Sequence, residues 1–143
     1  MGQKTEEEQG RPRVVLDTNI IISALGWGGK PKKCFELILK GDLISITSPE
    51  IIHEVEKVME YPKFSFKNKE KREFLEVITK SSIIIEPKTE INLIKEDPTD
   101  NMFLEAAITG HADYIISGDK DLLNLERFKE IRIIKPEKCL KII

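Results

Sequence analysis

Cysteine is almost missing from this sequence. Of 143 residues only Cys34 and Cys139 carry a thiol, and their separation fits neither a metal-ligand spacing nor a redox pair. Long apolar runs are missing too: the longest, such as Ile20-Ile21-Ile22, are far too short to cross a bilayer. Residues 1–10 are polar and acidic and contain no apolar stretch of the kind a signal peptide needs. Neither sign of charge dominates. Lys and Arg number 23 against 25 Asp and Glu, a net charge of −2 that does not advertise a nucleic-acid binder. With 40% apolar and 34% charged residues the chain is not disordered, and its length suits one domain that needs no covalent staples. There is no internal repeat and no low-complexity segment. The expectation is a cytoplasmic enzyme or binding domain with no membrane association.

Aspartate is the informative scarcity. Of the acids, 18 are Glu and 7 are Asp. Glu is scattered along helical stretches, as solvated faces rich in Glu and Lys should be. Five of the seven Asp (Asp17, Asp97, Asp100, Asp119 and Asp121) stand instead beside predicted element ends. Abundant Glu, Lys and Ile with few Gln is also a composition favoured at high growth temperature.

Residues 1–11 read as a flexible charged tail and residues 12–143 as one domain. Five apolar runs read as strands: Val14–Leu16, Leu43–Ile46, Ile83–Ile85, Tyr114–Ile116 and Ile131–Ile134. The first, third and fourth are continuous rather than alternating, as strands covered by helices on both faces should be. Helical patterns lie between them. Pro31 to Lys40 carries Cys34, Phe35, Leu37 and Ile38, with Gly41 just past its end. Residues 49–60 set Ile51, Ile52, Val55, Val58 and Met59 on one arc and stop at Tyr61-Pro62. Residues 68–80 turn Phe74, Leu75 and Ile78 inward, and residues 98–109 open at Asp97-Pro98 and end at Gly110. Asn124 to Glu130 reads as a turn or short helix, and residues 136–141 as a last helical turn. The order β-α-β-α-α-β-α-β-β implies a three-layer α/β/α sandwich with a mostly parallel, five-stranded sheet.

In such a sheet ligands bind beyond the carboxyl ends of the strands. Asp17 follows the first strand directly, and Asp119 follows the fourth after Ser117-Gly118. If those strands are neighbours, both carboxylates face one crevice, within reach of Asp100 and Glu54. Each acid also fits a plainer role. Asp17, before Thr18-Asn19-Ile20, suits the cap of the next helix along the chain. Asp97 suits the cap before Pro98, which makes Asp100 a first-turn acid beside unpaired amides. Asp119 and Asp121 suit an ordinary turn. Glu54 and Glu56 flank the apolar arc of their helix on opposite sides, and periodicity does not choose between them.

Four ordered segments carry a resemblance. Val14-Val15-Leu16-Asp17-Thr18-Asn19, then Ser48-Pro49-Glu50-Ile51-Ile52-His53-Glu54-Val55, resemble the PIN-domain nucleases, including VapC-type toxins. Asp97-Pro98-Thr99-Asp100-Asn101 with Glu105-Ala106-Ala107, and Ala112-Asp113 through Leu122-Leu123, extend the match over about residues 13–140. The resemblance implies a PIN-like domain whose acids are Asp17, Glu54, Asp100 and Asp119, with Asp97 and Asp121 as extra carboxylates nearby. Asn19 then supports the first acid and Ser117 contacts the cluster. It also implies an RNA substrate, a homodimer or higher homo-oligomer, and, for a toxin, a small antitoxin protein.

Charge repulsion gives the acids a use. Two carboxylates 4 Å apart repel by roughly 4 kcal/mol at an effective dielectric of 20. Three or four tolerate one another only if protonated or bridged by a cation, and all-oxygen ligands select Mg²⁺ or Mn²⁺ over Zn²⁺. His53 and His111 form no competing cluster, and His53 falls on the solvent side of its helix. The expected activity is endoribonucleolytic hydrolysis of RNA phosphodiesters, with Asp17 and Asp100 as direct ligands and Glu54 and Asp119 holding a second ion or its water. Lys63, Lys67, Lys69 and Arg72, around Phe64 and Phe66, suit RNA contacts or a solvated helix start. Trp27 reads as a packing anchor or a partner surface. A catalytically silent PIN-like module binding RNA or protein is the alternative. A haloacid-dehalogenase-like phosphatase fits less well, because Thr18 and Asn19 replace the second Asp such enzymes need.

Overall fold

Residues 10–142 are described by the computed structural model. Most of the expected charged tail, residues 1–9, lies outside the described residues. Val14 and Val15 are fully buried in β1 (Arg13–Leu16), which sits inside a six-stranded sheet. From β1 the chain forms α1 (Thr18–Gly26), α2 (Gly29–Leu39), β2 (Ile44–Thr47) and α3 (Pro49–Met59). A 3-10 turn at Pro62–Phe64 leads to α4 (Asn68–Ser81), which runs directly into β3 (Ser82–Ile84). A second 3-10 turn, Pro98–Asp100, precedes α5 (Asn101–Thr109) and β4 (Tyr114–Ile116). The chain ends with α6 (Lys120–Leu123), β5 (Arg127–Phe128), β6 (Ile131–Ile134) and α7 (Pro136–Cys139).

Among the described residues the strand order is β3-β2-β1-β4-β6-β5, with the β5–β6 pair antiparallel and the others parallel. From β1 the chain first builds β2 and β3 to one side, then returns to place β4 on the other, with Leu16 beside Ile116. That reversal opens a crevice where the carboxyl ends of β1 and β4 meet. Helices flank the sheet, as expected for a three-layer α/β/α sandwich. On one side α5 packs on β1, β2 and β4; α1 packs against α2 and α3. Gly110 ends α5 where a Cβ would come within 2.4 Å of Ile46 Cγ2, so the helix meets β2 at a spacing only glycine allows.

Four expectations need correction. The sheet has six strands, not five, because Arg127 and Phe128 pair with β6 where a turn or short helix was expected. Glu126 and Lys129 both take positive φ, and the Lys129-Glu130 link closes a tight hairpin without glycine or asparagine. Two helices, not one, join β1 to β2; Gly28 and Gly29 at φ 104 and 68 break them apart. The third strand is not covered on both faces. It is a three-residue edge strand whose Ile83 and Ile84 are exposed. The helix expected over 98–109 starts as a 3-10 turn and becomes regular only at Asn101.

Candidate metal centre

Asp17 stands where β1 reaches the edge of the sheet. Its N–H donates to the Ile116 carbonyl at 3.1 Å, extending the β1–β4 pairing by one residue. Its Oδ1 accepts from the Ile20 N–H at 2.8 Å and so caps α1, while its Oδ2 accepts from the Ser117 hydroxyl. Capping and facing the crevice therefore coincide in one residue, 3% exposed. Burial pushes its carboxyl up to about 6, overriding the Ser117, Ile20 and Gly118 donors, with the Asp119 charge acting in the same direction as burial.

Ser117 ties this acid to the next. Fully buried, it gives its one hydroxyl proton to Asp17 and accepts the Asp119 N–H at 2.9 Å. Asp119 in turn caps α6, its Oδ2 accepting from the Leu122 N–H at 3.1 Å. Asp100 closes the 3-10 turn that Pro98 begins, its N–H donating to the Asp97 carbonyl at 3.0 Å. It is buried, and its Oδ2 has no hydrogen-bond partner among the described residues. Burial, then the neighbouring Asp119, then the charges of Asp97 and Asp17 push its carboxyl up to about 8. One carboxylate oxygen from each of Asp100, Asp119 and Asp121 lies within 4.8 Å of the others.

The crevice over these acids encloses about 160 Å³. Asp17, Asp100 and Asp119 line it together with Glu54 from α3 and Asp97. Glu54 keeps 18% of its side chain exposed, 3.9 Å from Lys57, whereas Glu56 lines a different groove beside Lys71 and Arg72. Asp97 and Asn19 are exposed at the crevice; the bonds that orient Asp17 come from Ser117 and Ile20 rather than Asn19. Asp97 sits at the cap position before Pro98, but its side chain makes no capping bond. Asp121 joins the cluster from beyond the crevice lining. His53 is solvent-facing, as expected, and 4.0 Å from Glu56.

Among the described residues no Lys or Arg lines the crevice, and Lys63, Lys67, Lys69 and Arg72 lie away from it. All four are exposed; Lys63 lies over the Phe64 ring and Lys69 is 3.8 Å from Glu73. Trp27, 61% exposed, meets Phe64 and Phe66 edge-on or tilted, so it serves as an anchor while keeping an open face. Two residues had no assigned role in the sequence. The Thr18 hydroxyl is buried at the crevice without a partner among the described residues, and the Asn101 side chain both accepts from and donates to the Ile94 backbone at 2.8 Å, fixing the loop before Asp97. Thr18 follows the first acid directly, the only sequence signal it offered.

A buried carboxylate oxygen and a buried hydroxyl, both unpaired and both at a crevice of like-charged acids, fit a hard cation with oxygen ligands. Fold and site together define an α/β protein with an acidic, cation-suited crevice at the switch in its strand order. The chain belongs to the PIN-domain family: the model of the PIN domain matches residues 13–121. An uncharacterized protein of Methanocaldococcus jannaschii, MJ1680, is 36% identical over 122 residues, 82% of this chain and 77% of that protein. VapBC2 from Rickettsia felis, solved bound to a DNA fragment from its promoter, superposes with a TM-score of 0.61 at 15% identity, covering 85% of this chain and 96% of that one. PAE2754 from Pyrobaculum aerophilum superposes with a TM-score of 0.62 at 11% identity, covering 97% and 96%. At those identities the two structures speak for the fold. Membership of this family sets aside the dehalogenase-like alternative. No helix among the described residues is long and apolar enough to cross a membrane.

Proposed function

We propose that this protein is a metal-dependent endoribonuclease that hydrolyses RNA phosphodiester bonds at the crevice between β1 and β4. The observation that carries the reading is the unpaired Asp100 Oδ2, buried near Asp17, Asp119 and Asp121 at a crevice that no cationic side chain among the described residues lines. Bare, that crevice repels a phosphodiester; a cation reverses its sign. Asp100, Asp119 and Asp121 would hold Mg²⁺ or Mn²⁺, with Asp17 and Glu54 facing the same space. Such an ion neutralises charge on the phosphoryl oxygens and lowers the pKa of a water beside them.

The remaining work falls to the chain itself. Ser117 and the Ile20 N–H hold the Asp17 carboxylate in one orientation, so its charge need not reorganise during reaction. Ser117 also fixes the start of α6, and with it the direction of Asp119. Glu54, on α3 with 18% of its side chain exposed, would take the proton that the attacking water gives up. Water oxygen bonds to phosphorus, the bond from phosphorus to the leaving ribose oxygen breaks, and that oxygen takes a proton from solvent to leave as a hydroxyl. A homodimer and a small antitoxin-type partner complete the proposal, the latter supported by the structural likeness to VapBC2. Incubation of end-labelled RNA with purified protein and Mn²⁺ tests the activity: cleavage that excess EDTA abolishes supports it, and cleavage that survives EDTA refutes the metal mechanism.

A further inference from the structure

Beyond α6 the sheet carries a second open groove of about 740 Å³. This short helix joins the two sites, since Asp119 before its first turn lines the crevice and Leu123 at its end lines the groove. Four cations line the groove, Arg127, Arg132, Lys135 and Lys138, against Glu126 and Glu137. All four are exposed, and none makes an ion pair among the described residues. Glu137 is engaged from outside by Lys30 at 3.8 Å. Residues 127–141 hold six of the chain's 23 Lys and Arg but only two of its 25 acids. A chain of net charge −2 thus gathers unpaired positive charge beside its acidic crevice.

The placement of these cations is costly to the fold. Arg127 and Arg132 are direct partners across the β5–β6 pair, where like charges destabilise a sheet. Lys135 and Lys138 are three residues apart around the start of α7, a second like-charge neighbour pair. By contrast, the basic stretch before and within α4 is compensated in part, with Lys71 2.8 Å from Glu60, Lys69 3.8 Å from Glu73 and Lys63 over the Phe64 ring. A polyanion lying in the groove would relieve both like-charge pairs. Among the described residues the lining offers cations and aliphatic side chains but no aromatic ring for base stacking, which suits backbone contact rather than sequence readout. Lys135 follows Ile134, whose carbonyl accepts the Ser117 N–H at 2.9 Å, so the groove begins at the same sheet end as the acids.

We propose that this groove binds the phosphodiester backbone of single-stranded RNA and leads it to the acidic crevice. The proposal rests on the nuclease reading, and its test is separable from it. Binding of a fluorescein-labelled RNA 20-mer is followed by anisotropy in EDTA, over a series of salt concentrations, so that no cleavage is required. Two double variants, Arg127→Gln with Lys138→Gln and Arg132→Gln with Lys135→Gln, each remove two exposed charges. Each is expected to weaken binding about tenfold at low salt and to flatten the slope of log K against log salt by roughly 1.4. Lys88→Gln with Lys95→Gln, exposed and elsewhere in the chain, is expected to keep the wild-type slope. Wild-type slopes in both groove variants overturn the proposal. So does a slope lost only through Lys63→Gln with Lys67→Gln, or competition by polyglutamate as strong as by RNA at equal charge, which makes the groove an acidic-peptide site. Groove-dependent binding without Mn²⁺-dependent cleavage defeats the nuclease reading and leaves the groove standing. Cleavage with unchanged slopes does the reverse.

Discussion

Replacing Asp17 by asparagine separates what this residue does for the fold from what it does in the crevice. Its carboxyl loses a proton at about 6 in the folded protein against 3.8 for the unperturbed group, which costs the fold about 3 kcal/mol once both forms are ionised. The sign follows from the direction. With the folded value raised, the protonated side chain's contribution is fully present below 3.8 and is lost as pH rises through 6. Asparagine has no such loss. Its Oδ1 can still accept from the Ile20 N–H, and its Nδ2 can donate to Ser117 Oγ, but a weaker cap and a neutral bond cost about 1 kcal/mol. The metal-free variant should therefore be equal to or slightly less stable than wild type at pH 4 and about 2 kcal/mol more stable at pH 8. For a chain of this size that is a gain of roughly 8 °C in melting temperature. Adding Mg²⁺ should raise the wild-type midpoint, since at 100 times its Kd a ligand of the folded state adds about 2.7 kcal/mol, and should raise the variant's less. Thermal melts of both proteins at pH 4 and pH 8, with EDTA and with Mg²⁺, read all of this. A difference between the proteins that is constant with pH refutes the burial argument, and equal Mg²⁺ shifts refute a role for Asp17 at the cation.

Because burial and Asp119 push the Asp100 carboxyl up to about 8, cation binding at pH 7 should expel close to one proton and at pH 10 almost none. Titration calorimetry in buffers of different ionisation enthalpy counts it, and a proton count independent of pH contradicts the assignment. Gly110→Ala should cost about 1–3 kcal/mol through the contact with Ile46 and shift the urea midpoint without changing the slope. The open faces of Trp27 and Tyr61, 61% and 46% exposed beside Phe64 and Phe66, should support self-association. Light scattering at micromolar concentration should give a dimer mass for wild type and a lower mass for Trp27→Ser; a wild-type monomer ends that idea.

Much of this was legible in the sequence because burial writes itself into composition. The unbroken runs Val14–Leu16 and Tyr114–Ile116 belong to strands with neighbours on both sides, and Asp17 and Asp119 stand where those strands stop. The same signal misled at β3, where Ile83 and Ile84 look like core residues but lie on the exposed edge. Ile20-Ile21-Ile22 obscured α1, since β-branched residues lower helix propensity and only burial against α2 and α3 overrides it. The β5 hairpin turns on Lys129 at φ 55, a position where the usual glycine or asparagine marker is absent. For the site, periodicity left Glu54 and Glu56 equivalent, and the packing of α3, which sets Glu54 at the crevice and Glu56 at another groove, distinguishes them. The approach of Asp121 to Asp100 depends on where α6 and the 3-10 turn meet, which no local pattern encodes.

The central claim is that acids gathered at the β1–β4 edge hold the ion that cleaves RNA. The most direct measurement is the rate of RNA cleavage as a function of Mn²⁺ concentration for wild type and Asp100→Asn. That substitution keeps the buried shape and removes the carboxylate whose Oδ2 is unpaired. The account predicts saturable, EDTA-sensitive cleavage by wild type, and for the variant a rate at least about 100-fold lower that only much higher Mn²⁺ partly restores. A variant with the wild-type rate and the wild-type Mn²⁺ midpoint would contradict it.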